Sequence, residues 1–494
     1  MGSHRNRQTG AQVSPSAMDA LPSELLSRIA YFLPCTTDLI SLRLVNKRLA
    51  AIVLRPLFEV LRFSGRRQDE PSIMNFGPNQ EPELNDGHVG RTRTVEFSKL
   101  SEAVDEVIDG SLACHTKTFI FDPAYYRQKF WQDYLMHVEN EENEPIDEAD
   151  YEITEDDLDE DADIEARIDA AIERVLEWRR MRPERERDVL KSAQAMWDRK
   201  IAEQKQNEEA VEDALTRLFR VMTPLEEIVI KPWEFDGTLI FPDLETCNSY
   251  EIDVQRRDSF PCTFFLEVLA RALHAADRRI KNLHVQELFV EHLHDSPAIH
   301  HVFTGLRHID LNITHVDFLF EGARKSELLI ELFKHAQPTL RRLSIMAGGK
   351  WPGLPARGAH SLLKMLGDGT DETGGMPLVF PQLEFVQLGG IILSALPLVQ
   401  FFSAQPGLKQ LELSHIYLST NGFGWPNLID ALPATVDGWT VRGPLGHEPF
   451  QPPFDDDAPT AYNWMKEWTL LEQLSLPGWK GITGANGLHF KRVV

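Results

Sequence analysis

Seven segments of the form L-x-x-L-x-L constrain this chain more than any other feature. They are Leu225/Ile228/Ile230, Ile280/Leu283/Val285, Leu306/Ile309/Leu311, Leu340/Leu343/Ile345, Leu383/Val386/Leu388, Leu408/Leu411/Leu413 and Leu471/Leu474/Leu476. The period-2 tail of each segment predicts a short strand whose alternate residues face a shared core. Several segments follow a helical run, as in LIELFKHAQPTLRRLSI and LVQFFSAQPGLKQLELSHI. On this pattern Leu340, Leu343 and Ile345 are core, as are Leu408, Leu411 and Leu413. Arg341, Arg342, Ser344, Lys409, Gln410 and Glu412 are expected toward the surface or the turns.

These segments resemble leucine-rich repeats, in which each strand–helix unit leaves one face bare until a neighbour covers it. The intervals between first positions are 55, 26, 34, 43, 25 and 63 residues, where regular repeats keep about 20 to 29. The Asn that ladders the turns of regular repeats is also missing after most strands. The longer gaps therefore hold unrecognised units or inserted loops. The resemblance implies an irregular leucine-rich-repeat-like α/β solenoid over 223–494, with its start over 91–138.

Near the N-terminus, residues 21–63 pack three short helical patterns into a stretch too small to bury much surface alone. Pro22 and Glu24 suit a helix start. Leu21, Leu25, Ile29 and Leu33 recur every four residues, and Leu26 and Phe32 widen the stripe. Pro34 stops this helix. Thr37 or Asp38 can cap a second, carrying Leu39, Leu42 and Val45. A third, from about Lys47 to Arg55, carries Leu49, Ile52 and Val53 until Pro56 interrupts it. Apolar surface in excess of what such a unit hides marks a partner-binding site.

Leu21-Pro22, Glu24-Leu25-Leu26, Ile29, Leu33-Pro34, Asp38-Leu39, Leu42, Val45 and Leu49 resemble an F-box. The resemblance implies docking on the small Skp adaptor of the SCF ubiquitin ligase and, through it, on cullin and RING subunits. The adaptor-binding residues it implies are Leu21, Pro22, Leu25, Leu26, Ile29, Leu33, Leu39, Leu42, Val45 and Leu49. The role it implies is the substrate-recognition subunit of an SCF-type E3 ligase, with an unidentified protein substrate on the repeats. Catalysis would then come from partners, and this chain would not itself be an enzyme. The alternative is an F-box scaffold that binds the adaptor without directing ubiquitylation.

The fold class expected is therefore α/β: a small all-helical F-box over 19–63, a linker over 64–90, and the solenoid, with an acidic and helical insertion over 139–222. A polar tail occupies 1–18 and lacks the apolar core of a signal peptide. Net charge is −25, from 76 acidic against 51 basic residues, which argues against nucleic acid or an anionic membrane as the main partner. Residues 19–63 depart from this balance: Arg28, Arg43, Lys47, Arg48, Arg55 and Arg62 outnumber Asp19, Glu24, Asp38 and Glu59. Cys35, Cys114, Cys247 and Cys262 form no C-x-x-C pair, which fits a reducing cytoplasmic or nuclear setting. Residues 385–408 carry no charge, yet Gln387, Gly389, Gly390, Pro397, Gln400, Gln405 and Pro406 break them up. They read as a buried strand followed by a buried helix rather than a membrane span.

Between the F-box and the repeats, a strand at 94–97, a helix at 100–108 and a strand at 118–121 are expected. DPAYYRQKFWQDYL then reads as an aromatic helix whose Tyr125, Tyr126, Phe130, Trp131 and Tyr134 cap a core. Residues 139–165 hold 16 Asp or Glu and no Lys or Arg, a self-repelling run expected to be solvated. A long helical pattern follows over 166–222, interrupted by Pro183. Ile168, Ile172, Val175, Leu176, Leu215, Leu218 and Phe219 lie at helical spacing, and the polar stretch QKQNEEAVED is expected to project into solvent.

No G-x-x-x-x-G-K-[ST], G-x-S-x-G or H-E-x-x-H motif is present; Gly348-Gly349-Lys350-Trp351 lacks the upstream Gly and the hydroxyl. His274, His284, His292, His294, His300, His301, His308 and His315 crowd together. His292 and His294, beside Glu291 or Asp295, are the one pair spaced for zinc. No Cys lies near to complete a structural site, so neither a metal nor another cofactor is expected.

Overall fold

The computed structural model describes residues 21–31, 39–65 apart from 40, 43 and 46, 90–126 apart from 111 and 112, 164–232, 261–313, 322–347, 377–419, 428–442 apart from 430, 446–447, 479–484 and 487–492. The tail, most of the linker and the acidic run up to 163 lie outside the described residues. So do Leu33, Pro34, Phe130, Trp131, Tyr134, His315 and Leu471/Leu474/Leu476.

The strands are β1 Val60–Ser64, β2 Gly90–Thr94, β3 Thr118–Asp122, β4 Glu227–Ile230, β5 Asn282–Leu288, β6 His308–Ile313 and β7 Arg342–Ala347. β8 Phe385–Ser394, β9 Gln410–Ser419, β10 Gly438–Arg442, β11 Gly446–His447, β12 Trp479–Gly484 and β13 Gly487–Arg492 complete them. The helices are α1 Ser23–Tyr31, α2 Lys47–Phe58, α3 Leu100–Asp109, α4 Ile164–Val221, α5 Pro261–Ala275, α6 Pro297–Phe303, α7 Gly322–Ala336 and α8 Ala395–Ser403.

The described strands build one 13-stranded sheet, ordered β12-β13-β10-β9-β8-β7-β6-β5-β4-β3-β1-β2, with β11 beside β9. Neighbours from β2 to β10 run parallel. β13 and β12 close the far edge antiparallel.

The L-x-x-L-x-L pattern is the register of this sheet. Phe119, Ile228, Leu283, Ile309, Leu343, Val386, Leu411 and Trp439 are Cα partners across β3 to β10. A second row two residues on runs from Phe121 to Leu413. Both rows are buried. Six of the seven segments therefore lie side by side on β4 to β9. Three further units lacked a leading Leu: Phe58/Leu61/Phe63 on β1, Thr116/Phe119/Phe121 on β3, and Val436 with Trp439 on β10.

Helices α3 to α8 pack into the same hydrophobic core as these rows, so they cover one face of the sheet. α5 lies between α4 and α6, and α6 against α7. Parallel sheets are normally covered on both faces. Here, among the described residues, the second face carries mainly polar side chains from β4 to β9, with Val60 and Ile120 buried at the β1–β3 end. At the β1–β3 end the core is aromatic: Phe265 meets Phe97, Phe121 and Tyr125 at centroid distances of 5.0–6.0 Å, and Tyr126 meets Trp197 edge-on at 4.9 Å.

Several expectations shift. β2 ends at Thr94, and Phe97–Lys99 is a 3-10 turn rather than strand. β1 follows α2 directly and pairs with β3, so the sheet begins within 19–63. α2 continues through Pro56, which sits in its last turn and costs it one bond to the Ile52 carbonyl. α4 likewise runs through Pro183 for 58 residues, about 87 Å at the α-helical rise. The polar stretch of α4 does not simply project. Gln204 is buried, with Oε1 accepting from Tyr126 N at 2.6 Å and Nε2 donating to Tyr126 O at 2.9 Å. Lys200 pairs with Glu96 at 2.7 Å and Arg271 of α5 with Glu212 at 2.6 Å. Ala193, Trp197, Gln204, Val211, Leu215 and Leu218 are spaced so that one side of the helix packs, however polar the average.

Residues 385–408 form β8 followed by α8. A positive φ of 66° at Gly390 lets β8 step past an unpaired position and rejoin β9 at Ile391. A Cβ at Gly389 would run into the Met346 thioether. No helix among the described residues is long and apolar enough to cross a membrane.

Candidate docking surfaces

The N-terminal helices have a small core of their own. Ala30, Leu39, Val53, Leu57 and Phe58 pack together, with Leu42, Ile52 and Leu54 against them. Arg48 fastens α2 to the start of α1, its Nη2 donating to Leu21 O at 2.6 Å and to Ser23 Oγ at 3.1 Å. Thr116 Oγ1 donates to Phe58 O at 3.0 Å, and Lys117 pairs with Glu59 at 2.5 Å, fixing the end of α2 to the sheet.

The structure divides the residues singled out for adaptor binding. Leu26, Leu39 and Leu49 are buried inside the chain, at 1%, 0% and 2% exposure. Leu21 and Leu42 are half-buried and Pro22 is exposed. Leu25, Ile29 and Val45 stand out at 45%, 40% and 64%, joined by Leu44 at 81%, which the periodicity missed. Leu44 lies in a turn whose backbone bonds run Leu44 N to Ser41 O and Val45 N to Leu42 O, so helical spacing does not describe it. Burying a large aliphatic side chain stabilises by about 1.5–3 kcal/mol. Exposed aliphatics in so small a unit are therefore a surface suited to a partner.

The open face of the sheet is a second surface. Along one row, side chains join hand to hand from β3 to β9. Thr118 Oγ1 donates to Glu227 Oε2 at 2.7 Å. Glu227 Oε1 lies 3.0 Å from His284 Nε2, and His284 Nδ1 lies 3.2 Å from Asp310 Oδ2. Asp310 also bonds Ser344. Ser344 Oγ contacts Gln387 Oε1 at 3.0 Å, and Gln387 Nε2 donates to Glu412 Oε1 at 2.9 Å. The single Ser344 hydroxyl proton serves Asp310 or Gln387, one at a time.

His284 is the pivot of this chain. A neutral imidazole has one N–H, so bonds to carboxylates on both sides require the imidazolium. Burial pushes the His284 pKa down, but the bonds and charges of Asp310 and Glu227 outweigh it and lift it to about 9. Burial pushes Asp310 up, and its bonds to His284 and Ser344 more than reverse this, holding it below its ordinary range. Ser, His and Asp meet here, yet the carboxylate stands between the other two, so the imidazole does not face the hydroxyl. A triad needs the His in the middle. At the β1–β3 end, burial raises the Asp122 pKa against the opposing Arg62 and Ser64 bonds, with Arg62 Nη2–Asp122 Oδ2 at 2.5 Å.

Ser344 and Glu412, expected at the surface, are buried at 3% and 9%. They do face away from the apolar core, but polar neighbours on adjacent strands cover them. Arg341, Arg342, Lys409 and Gln410 are exposed.

The histidines are mostly engaged one by one. His294 Nδ1 lies 2.7 Å from Glu267, His301 Nε2 lies 2.9 Å from Arg278 O, and His300 lies 2.7 Å from Asp295 and 2.9 Å from His335. Among the described residues no three potential metal ligands converge. Cys114 is exposed and Cys262 is buried. No protein-family model matches this chain, and no curated protein matches it.

Proposed function

We propose that this chain is the substrate-recognition subunit of an SCF-type ubiquitin ligase, with an F-box at its N-terminus and a leucine-rich-repeat-like solenoid after it. The observation that carries the reading is the division within the N-terminal helices. Ala30 and Leu39 close an internal core and Leu26 is buried, while Leu25, Ile29, Leu44 and Val45 are left bare. This surface would receive the Skp adaptor. Among the described residues helices cover one face of the sheet, and this supports a receptor role, because the other face presents side chains from consecutive strands to a client. The chain's contribution to ubiquitylation would be proximity, holding a client at high effective concentration beside the enzyme carried by the ligase.

Leu25→Asp combined with Ile29→Asp tests the docking half. Both side chains are exposed, so the variant should fold with an unchanged Tm and lose co-purification of the Skp adaptor, because unpaired carboxylates in an apolar contact cost several kcal/mol. Adaptor binding retained by the folded variant would overturn the assignment.

A further inference from the structure

The chain carries a net charge of −25, yet one edge of its sheet is basic. The residues just ahead of consecutive strands continue the ladder through backbone bonds: Lys281 N to Glu226 O, Arg307 N to Lys281 O, Arg341 N to Arg307 O, Glu384 N to Arg341 O and Lys409 N to Glu384 O. Lys281, Arg307, Arg341 and Lys409 are exposed, as is Arg342, the first residue of β7. Three acidic residues also lie in the row: Glu226 is matched by Lys281 at 2.5 Å, Glu384 by Lys409 at 3.5 Å, and Asp437, whose N donates to Lys409 O, ends it ahead of β10. Arg307, Arg341 and Arg342 are in no ion pair among the described residues. The Arg342 guanidinium lies over the Phe385 ring at 4.1 Å, which holds its plane in place while leaving its edge free to donate. The local field is positive enough to register on a neighbour. Burial first, then the charges of Arg342, His284 and Arg341 against the opposing charge of Glu227, hold His308 below its ordinary pKa.

We infer that the leading edge of β5 to β9, centred on Arg307, Arg341 and Arg342, is the docking site for an extended, carboxylate-rich segment of a protein client. The inference rests on the substrate-receptor reading for the identity of the client, but the binding itself stands on this edge alone. Geometry selects the occupant. The cations are strung along the strand starts instead of converging on one point, so they match a line of single charges better than one doubly charged phosphate. Four strand spacings cover about 19 Å, the length of about six residues of extended chain. Nucleic acid is disfavoured because Phe385, beside these cations, is already covered by Arg342 and offers no open ring for a base to stack on.

The test uses the full chain and a fluorescein-labelled peptide of eight glutamates, read by anisotropy, with an eight-glutamine peptide as control. The glutamate peptide should bind at least about tenfold more tightly than the control and weaken as salt is raised. Arg307→Glu with Arg341→Glu should weaken it at least about tenfold at unchanged Tm, whereas Arg307→Lys with Arg341→Lys should stay within about threefold. Should the charge reversal lower Tm, Arg307→Gln with Arg341→Gln replaces it, with the same loss expected. Equal binding of the two peptides, or glutamate binding indifferent to the arginines, overturns the proposal. Tighter binding of a singly phosphorylated peptide lacking Asp and Glu, or of an eight-nucleotide RNA, overturns the choice of occupant. Leu25→Asp with Ile29→Asp should leave peptide binding intact, so failure here is separable from failure of the adaptor reading.

Discussion

The N-terminal helices and the sheet resolve burial in opposite ways. In the helices, large aliphatics stay outside: Leu25, Ile29, Leu44 and Val45 are exposed although a core lies one side chain away. In the sheet the reverse holds, and even Ser344, Glu412 and Ser414 are buried. So small a helical unit has too little interior for its apolar residues, so the surplus stays exposed. A sheet repeated through many strands has room for most of its apolar residues on one face. Its other face then buries polar groups against one another, provided each finds a partner.

The largest effect that would break this comparison lies in the sheet core. Leu343→Ala should cost about 2–5 kcal/mol in denaturant unfolding; a cost below about 1 kcal/mol would mean the rows do not share one packed interior. In the helices, Leu26→Asp should fail to yield a stably folded N-terminal unit by amide exchange, while the neighbouring Leu25→Asp leaves protection unchanged. Equal behaviour of the two would erase the division between core and surface.

Next come the polar groups. Ser344→Ala removes a hydroxyl from between Asp310 and Gln387 and should cost about 1–3 kcal/mol. A surface serine would cost less than about 0.5 kcal/mol, so the value separates a buried ladder from an exposed one. His284 adds a pH signature. Its folded pKa of about 9 lies above the ordinary 6.5, so its contribution is full below about 6.5 and is lost as pH rises through about 9. Asp310, held low, contributes above its ordinary range and loses that contribution as pH falls through its lowered value. Tm of the wild type should fall between pH 6.5 and 9 more steeply than Tm of His284→Gln; parallel profiles would show that the imidazolium bridge is absent. The smallest effect is at the sheet edge, where Arg342→Ala gives up its stacking on Phe385, worth about 0.5–1 kcal/mol at an exposed site. A loss above about 2 kcal/mol would place Arg342 inside the ladder rather than beside it.

What could be read in advance follows from the range of each interaction. Period-2 alternation is a property of neighbours in the chain, so Leu343 and Ile345, or Leu411 and Leu413, could be assigned to the core without knowing what they touch. Units led by Phe58, Thr116 and Val436 escaped because the leading position requires only a residue that packs, not a leucine. Pro56 and Pro183 misled because a proline costs a helix only one bond, and both helices run through it.

Burial on the open face depends on distance across the fold. His284 meets Asp310 from 26 residues away and Glu227 from 57, and Ser344 meets Gln387 from 43. No local pattern places an acid on each side of that histidine; the parallel register does. The same holds for the N-terminal stripe. Periodicity gathers Leu25, Leu26 and Ile29 on one side of α1, but only tertiary packing, which buries Leu26 and sets Ala30 against Leu39, Val53 and Leu57, decides which of them is closed in and which stays exposed. Sequence alone determined which residues must leave water together, because that is set by chain-local spacing. Tertiary structure alone decided which polar groups share a proton and which apolar ones stay bare, because those outcomes belong to pairs of residues brought together only by the sheet.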